Sequence, residues 1–215
     1  MTRYILFAVL VVTLFLTYKS GIISFPIQEV TVISSDKKYN ESKLNNYLNS
    51  LYGKDLLLSN IDTIQKNIIS DDWISDAEVT KSFPSKLTIR IIQHKPMALY
   101  NNKIISKDGV LINSSPNRLK NLPIIIDKDK ELSSAYNIFT LALSNLKKID
   151  LVVEKLVIYH SLIKIHTKSV VLISDRINFE KNILRLIPLF DDLTNAYDKN
   201  IKSIDMRYSN GFAIK

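Results

Sequence analysis

The chain has 215 residues, of which 46% are hydrophobic and 23% charged, the balance of an ordinary globular protein. The absence of cysteine excludes disulfides, thiol catalysis and zinc–cysteine sites, so an exported domain must rely on core packing alone. A formal net charge of +8 raises nucleic acid as a partner, but the lysines are scattered and no basic run is interleaved with stacking aromatics, which argues against it. A solvated surface, or one facing anionic lipid headgroups, accounts for the charge better.

Residues 4–18 form an uncharged apolar run. About 15 apolar residues fall short of the roughly 17–25 that span a bilayer. If Lys19 snorkels and the run continues through Gly21, Ile22, Ile23, Ser24 and Phe25, the segment reaches about 20 and fits a transmembrane helix. A cleaved signal peptide is the competing reading. Against it, Thr17-Tyr18-Lys19-Ser20-Gly21 holds no A-x-A-like cleavage site. Residues 4–25 therefore read as an uncleaved anchor, with residues 1–3 as a cytoplasmic stub and the bulk of the chain outside the cytoplasm. Flanking charge does not favour this orientation, since Arg3 precedes the run while Lys19, Lys37 and Lys38 follow it. Long domains, however, translocate largely regardless of such charge.

From Pro26 the pattern changes to period two, and residues 27–33 read as a strand with Val30 and Val32 on one face. Asn40 is a candidate helix cap, followed by Leu44, Tyr47, Leu48 and Leu51 at helical spacing and by Gly53 where a left-handed residue is wanted. Ser59 precedes a second helix as a loose capping box with Asp62, and Ile61, Ile64 and Ile68 form its stripe. Two alternating strands carry Ala77 and Val79, then Leu87, Ile89 and Ile91, with Phe83-Pro84-Ser85-Lys86 as the turn between them. Two helices on one face of a three-stranded sheet make an α+β unit. Trp73 is expected to plug the junction of helix and sheet, with a binding role as the alternative.

Lys95-Pro96 marks a joint. Short strands follow at residues 98–100, 104–105 and 110–112, turned by Asn101-Asn102 and Asp108-Gly109. Residues 113–123 read as a loop, residues 133–146 as a helix, and residues 156–159, 162–166 and 170–173 as a meander. A last helix over residues 179–193 carries Phe179, Ile183, Leu186, Phe190 and Leu193 inward, with Pro188 set to kink it. Strand character returns at Ile204, Met206 and Tyr208, then at Phe212, Ala213 and Ile214.

Nothing in this pattern assembles a catalytic site. His94, His160 and His166 lack metal-ligand spacing, and His166 shares a strand face with Lys164. Four glycines supply no phosphate-cradling loop, and no G-x-S-x-G occurs. The adjacent pairs Asp71-Asp72 and Asp191-Asp192 point their side chains apart. No cofactor, metal or small-molecule substrate is expected, and the chain reads as a binding protein.

Several stretches carry a family resemblance. Asp72-Trp73-Ile74-Ser75-Asp76-Ala77-Glu78-Val79 resembles p-W-V-x-x-A-x-V, and Phe83-Pro84-Ser85-Lys86-Leu87-Thr88-Ile89 resembles x-P-x-x-L-x-I. Lys95-Pro96-Met97-Ala98-Leu99-Tyr100 resembles x-P-x-A-x-W, and Asp108-Gly109 and Leu122-Pro123 fall where a d-x-x-G turn and an L-P pair belong. The tail, Ile204-Asp205-Met206-Arg207-Tyr208-Ser209-Asn210-Gly211-Phe212-Ala213-Ile214, resembles v-D-L-R-Y-x-n-G-f-A-v. These are patterns of the bacterial cell-division FtsQ/DivIB family, whose βααββ unit is a POTRA domain behind a membrane anchor. Gln93-His94 in place of the usual glutamate, Ile173-Ser174 in place of an L-G pair, and the short cytoplasmic stub depart from the pattern.

The resemblance implies a POTRA domain over residues 26–95 and a β domain over residues 96–215. It implies a non-enzymatic divisome scaffold, single-pass in the inner membrane with its bulk in the periplasm, at the division septum. Its implied partners are FtsB and FtsL, held by strand addition at the C-terminal edge through Arg207, Tyr208, Ser209, Asn210, Gly211, Phe212 and Ala213, with other divisome proteins meeting the POTRA domain. From the residues alone, the alternative is that Asn210-Gly211 merely turns a closing hairpin and both aromatics are core. An envelope enzyme or substrate-binding protein, and a POTRA-type transport chaperone, are the rival functions.

Overall fold

The computed structural model describes residues 2–19, 24–34, 42–113, 119, 121–197 and 200–215. They fall into two compact units, Met1–His94 and Lys95–Lys215.

The first unit begins with helix α1, Thr2–Lys19. Its described side chains are exposed around the helix, Tyr4, Leu6, Phe7, Leu10 and Phe15 among them. Thr13 and Thr17 donate their hydroxyls to the carbonyls of Leu10 and Thr13, satisfying them within the helix. Among the described residues no helix is long and apolar enough to cross a membrane. The expected span over residues 4–25 is thus not seen as one helix: α1 ends at Lys19, and residues 20–23 lie outside those described. Phe25, where the span was to end, is packed in the folded unit, its N–H donating to Asp55 and its ring edge-on to Phe83.

Strand β1 (Glu29–Ser34), helices α2 (Ser42–Asn49) and α3 (Ile61–Ile69), and strands β2 (Ile74–Ser82) and β3 (Lys86–Gln93) follow. The sheet order is β1-β3-β2, with β1 parallel and β2 antiparallel to the central strand. Alternation in β2 and β3 sends Ala77, Val79, Leu87, Ile89 and Ile91 to one face. There they meet Leu44, Leu48, Ile64 and Ile68 of the two helices in one buried cluster. Ile27 lies before the strand rather than in it, yet it is buried, its N–H bonded to Lys54 and its carbonyl to Gly53. Gly53 has φ +77°, the left-handed turn residue expected after α2. The expected cap Asn40 lies outside the described residues. Trp73 is half-buried at the entry to β2 and does not join the buried cluster.

The cap of α3 is Asn60 rather than Ser59. Asn60 Oδ1 accepts from the Thr63 N–H at 3.0 Å, whereas the Ser59 hydroxyl donates to the Asp55 carbonyl. Asn60→Ala is accordingly expected to lower the stability of this unit by about 1 kcal/mol, read as a lower denaturant midpoint of Trp73 fluorescence, while Ser59→Ala shifts it less.

The second unit holds β4 (Pro96–Tyr100), β5 (Lys103–Ser106), β6 (Leu111–Ile112), β7 (Ile124–Asp127), α4 (Leu132–Leu146), β8 (Val153–Ile158), β9 (Leu162–Thr167), β10 (Val171–Asp175), α5 (Phe179–Leu186), α6 (Phe190–Ala196), β11 (Ser203–Asp205) and β12 (Ala213–Ile214). They make one nine-stranded mixed sheet in the order β12-β11-β10-β9-β8-β7-β4-β5-β6. Asn101 and Asn102 both take positive φ in the β4–β5 turn, as a tight hairpin demands. Ile125, Leu156, Ile163, Ile165, Leu172 and Ile204 of the sheet are buried with Phe139, Ala142, Ile183, Leu186 and Phe190 of the helices. Pro188 sits in a 3-10 turn, Ile187–Leu189, that separates α5 from α6 where one kinked helix was expected. Strand β7 was not expected. It joins the β4–β6 hairpins to the meander by parallel pairing on both sides. The Tyr100 hydroxyl donates to the Asp127 carboxylate at 2.9 Å, and the Asn101 side chain bonds the Asp127 N–H and carbonyl.

Candidate interaction edge at the C-terminal hairpin

The last strand pair decides what the end of the sheet offers. β10 pairs with β11 in parallel, and β11 with β12 antiparallel, Ile204 opposite Ile214 and Asp205 opposite Ala213. The strand expected to run on to Tyr208 ends at Asp205; the chain turns at Ser209-Asn210 and returns as β12. A closing hairpin forms, as the alternative had it, but its turn lies at Ser209-Asn210 rather than Asn210-Gly211 and Tyr208 is not core. It still leaves an edge, because β12 is the outermost strand.

The hydrogen-bond phase shows which groups that edge exposes. Ser203 and Lys215 exchange both bonds, N–H to O at 3.0 Å each way. In an antiparallel pair bonded and non-bonded positions alternate. Asp205–Ala213 is then the next bonded pair, and the N–H and C=O of Ile214 face away from β11. Backbone groups so aimed are the template for an incoming strand.

The other expected site residues surround this edge. Arg207, Tyr208, Ser209, Asn210 and Ala213 are exposed, Tyr208 at 57%. Gly211 and Phe212 are half-buried, and Phe212 packs against the unit's core. The aromatics thus divide, Tyr208 outward and Phe212 partly in. Tyr208 through Ala213 line an open surface depression. An added Cβ at Gly211 would meet nothing within 4 Å. Arg207 folds back on Asp205, with Nε 2.9 Å from Oδ1 and Nη2 2.6 Å from Oδ2. Those bonds hold the Asp205 carboxyl below its ordinary range against the opposing effect of burial.

One residue was missed. Arg185, in the last turn of α5, donates from Nη2 to the carbonyls of Tyr208 at 2.9 Å and Gly211 at 3.0 Å, and its guanidinium carbon lies 5.1 Å from the Phe212 ring centroid. In sequence it is a polar residue beside the buried stripe of Phe179, Ile183 and Leu186, and no spacing ties it to a turn more than twenty residues away.

Elsewhere the polar groups are arranged for structure. Among the described residues no three or more His, Asp or Glu come together to hold a metal ion. His166 sits opposite Lys155 and Val171; burial first, then Lys155 and Lys164, depresses its pKa. His160 is exposed, 4.0 Å from Asp129. Arg176 ties Asp129, Glu131 and Ser134 together across two loops. Asp71 accepts from the Trp73 N–H in a turn, and Asp191 and Asp192 open α6, where the helix dipole favours them.

A compact α+β unit followed by a mixed sheet with an open terminal strand defines the class: a POTRA-domain protein, residues 25–94 matching the model of the POTRA domain, FtsQ-type. The particular likeness is to proteins named Cell division protein FtsQ. The chain is 23% identical to that of Actinobacillus pleuropneumoniae over 78% of its own length and 73% of the relative. It is 23% identical to that of Rickettsia bellii over 90% of its own length and 73% of the relative, and 25% identical to that of Haemophilus influenzae over 70% and 61%. The chain is thus similar to proteins named Cell division protein FtsQ over most of its length, well beyond the POTRA domain.

Proposed function

We propose that this chain is a non-enzymatic scaffold of bacterial cell division, and that it docks FtsB and FtsL at the sheet edge formed by β12. The observation that carries the reading is the outward-facing backbone of Ile214 on the outermost strand, beside the exposed Tyr208, at the stretch where the tail resembles the FtsQ pattern. An incoming strand gains about 0.5–1.5 kcal/mol per hydrogen bond, so a short edge needs an aromatic anchor, and Tyr208 and Phe212 supply it.

The proposed organisation is a stub at residues 1–3, an anchor over residues 4–25, a POTRA domain over residues 26–95 and a docking unit over residues 96–215. α1 alone is about 27 Å long at 1.5 Å per residue, short of the roughly 30 Å of a hydrocarbon core, so the proposed anchor takes in residues beyond Lys19. Its exposed apolar side chains, Leu6, Phe7 and Leu10 among them, support insertion in the inner membrane, with the bulk of the chain in the periplasm at the septum. Other divisome proteins meet the POTRA domain in this scheme.

The test is binding of the full chain, in detergent, to the FtsB–FtsL complex, with and without Phe212→Lys. A charge at a partly buried anchor is expected to weaken binding roughly 30-fold or more, with the circular dichroism spectrum unchanged. Undiminished binding would move the partner to residues 25–94, and no binding by the wild type would sink the scaffold reading.

A further inference from the structure

We infer that Arg185 is the residue that positions the docking edge and fixes where an incoming strand takes up register. The inference rests on the proposal that β12 is the partner's edge. Seven residues separate the end of β11 at Asp205 from the start of β12 at Ala213, and β12 itself is only two residues long. So short a strand, closed by a turn with three exposed residues in Tyr208, Ser209 and Asn210, has few contacts to hold it still.

Arg185 supplies the hold from outside the hairpin. One Nη2 donates to both carbonyls that flank the turn, Tyr208 at 2.9 Å and Gly211 at 3.0 Å. The same guanidinium lies 5.1 Å from the Phe212 ring centroid, within cation–π range. Its helix is fixed by Phe179, Ile183 and Leu186, all buried. The clamp therefore joins turn, anchor ring and core through a single side chain. Lysine, a point charge without the planar fork, does not reproduce that combination.

Two consequences follow for docking. With Phe212 and the turn held, the outward N–H and C=O groups of Ile214 are pre-organised, and less ordering is left to be done on binding. Arg185 also occupies the carbonyls of Tyr208 and Gly211, so an incoming strand is directed past the turn to the outward groups of Ile214.

The experiment compares the full-length wild type with Arg185→Met and Arg185→Lys in detergent. Hydrogen exchange is followed in peptides covering residues 206–215, and dissociation of the FtsB–FtsL complex is followed on a biosensor. For Arg185→Met, exchange in that segment and partner dissociation should each be about tenfold faster, with association within about twofold and exchange elsewhere unchanged. Arg185→Lys should leave most of both effects in place. Tail exchange unchanged by Arg185→Met would overturn the clamp, as would a loosened tail with unchanged dissociation or full rescue by lysine. Failure of the wild type to bind would sink the docking reading, whereas the exchange comparison needs no partner and judges Arg185 by itself.

Discussion

Replacing Phe139 with alanine is expected to destabilise the sheet unit by about 3–5 kcal/mol, the largest effect on folding anticipated in this chain. Phe139 is fully buried in the middle of α4, with Ala135, Ala142 and Leu146 on the same helix face. The small Ala135 and Ala142 beside it let the ring pack with the buried side chains of the sheet. The loss combines the transfer of the ring with a residual cavity. Against a total stability of about 5–15 kcal/mol for a domain, that is a third of the margin or more. The reporter comes with the sequence: the single tryptophan, Trp73, lies in the first unit. Far-UV circular dichroism should therefore show an early transition for Phe139→Ala, while Trp73 fluorescence keeps its wild-type midpoint. A Trp73 midpoint that falls in step would show that the two units unfold together, against the separate cores described here.

Periodicity carried most of the fold because most elements bury one face only. In β3 the alternation of Leu87, Ile89 and Ile91 with Thr88 and Arg90 is the burial pattern itself. β7 escaped because Ile124, Ile125 and Ile126 form an unbroken apolar run with no alternation to read, although its burial does alternate, Ile124 exposed and Ile125 buried. Capping misled by one residue, since Ser59 and Asn60 are both good caps and only the turn geometry around Asp55 chooses between them. The tail divides in the same way. Its sequence placed the expected docking residues on a final edge and offered a closing turn at Asn210-Gly211, but the clamp from Arg185 depends on contacts across the fold that no local pattern records.

Strand addition at β12 makes a sharper prediction than loss of an aromatic, because it turns on which backbone N–H faces out. Ile214→Pro removes an N–H that points away from β11, and the hairpin keeps the bonds of its Ser203–Lys215 and Asp205–Ala213 pairs. Ala213→Pro removes an N–H that faces β11 and strikes the ladder itself. The two substitutions, one residue apart, should therefore separate folding from docking. Ile214→Pro is expected to retain a melting temperature within a few degrees of wild type and to lose tenfold or more in affinity for the FtsB–FtsL complex, about 1.4 kcal/mol, since the ring blocks an approaching strand as well as deleting a donor. Ala213→Pro should lower the melting temperature of the sheet unit. Ile214 is also half-buried against the core, so Ile214→Val provides the control: it trims the side chain at about 0.5–1.5 kcal/mol of stability but keeps the N–H, and binding should survive. Wild-type affinity in Ile214→Pro would exclude backbone pairing at this edge. The partner would then have to be recognised by the side chains of Tyr208 and its neighbours, a surface contact rather than an extension of the sheet.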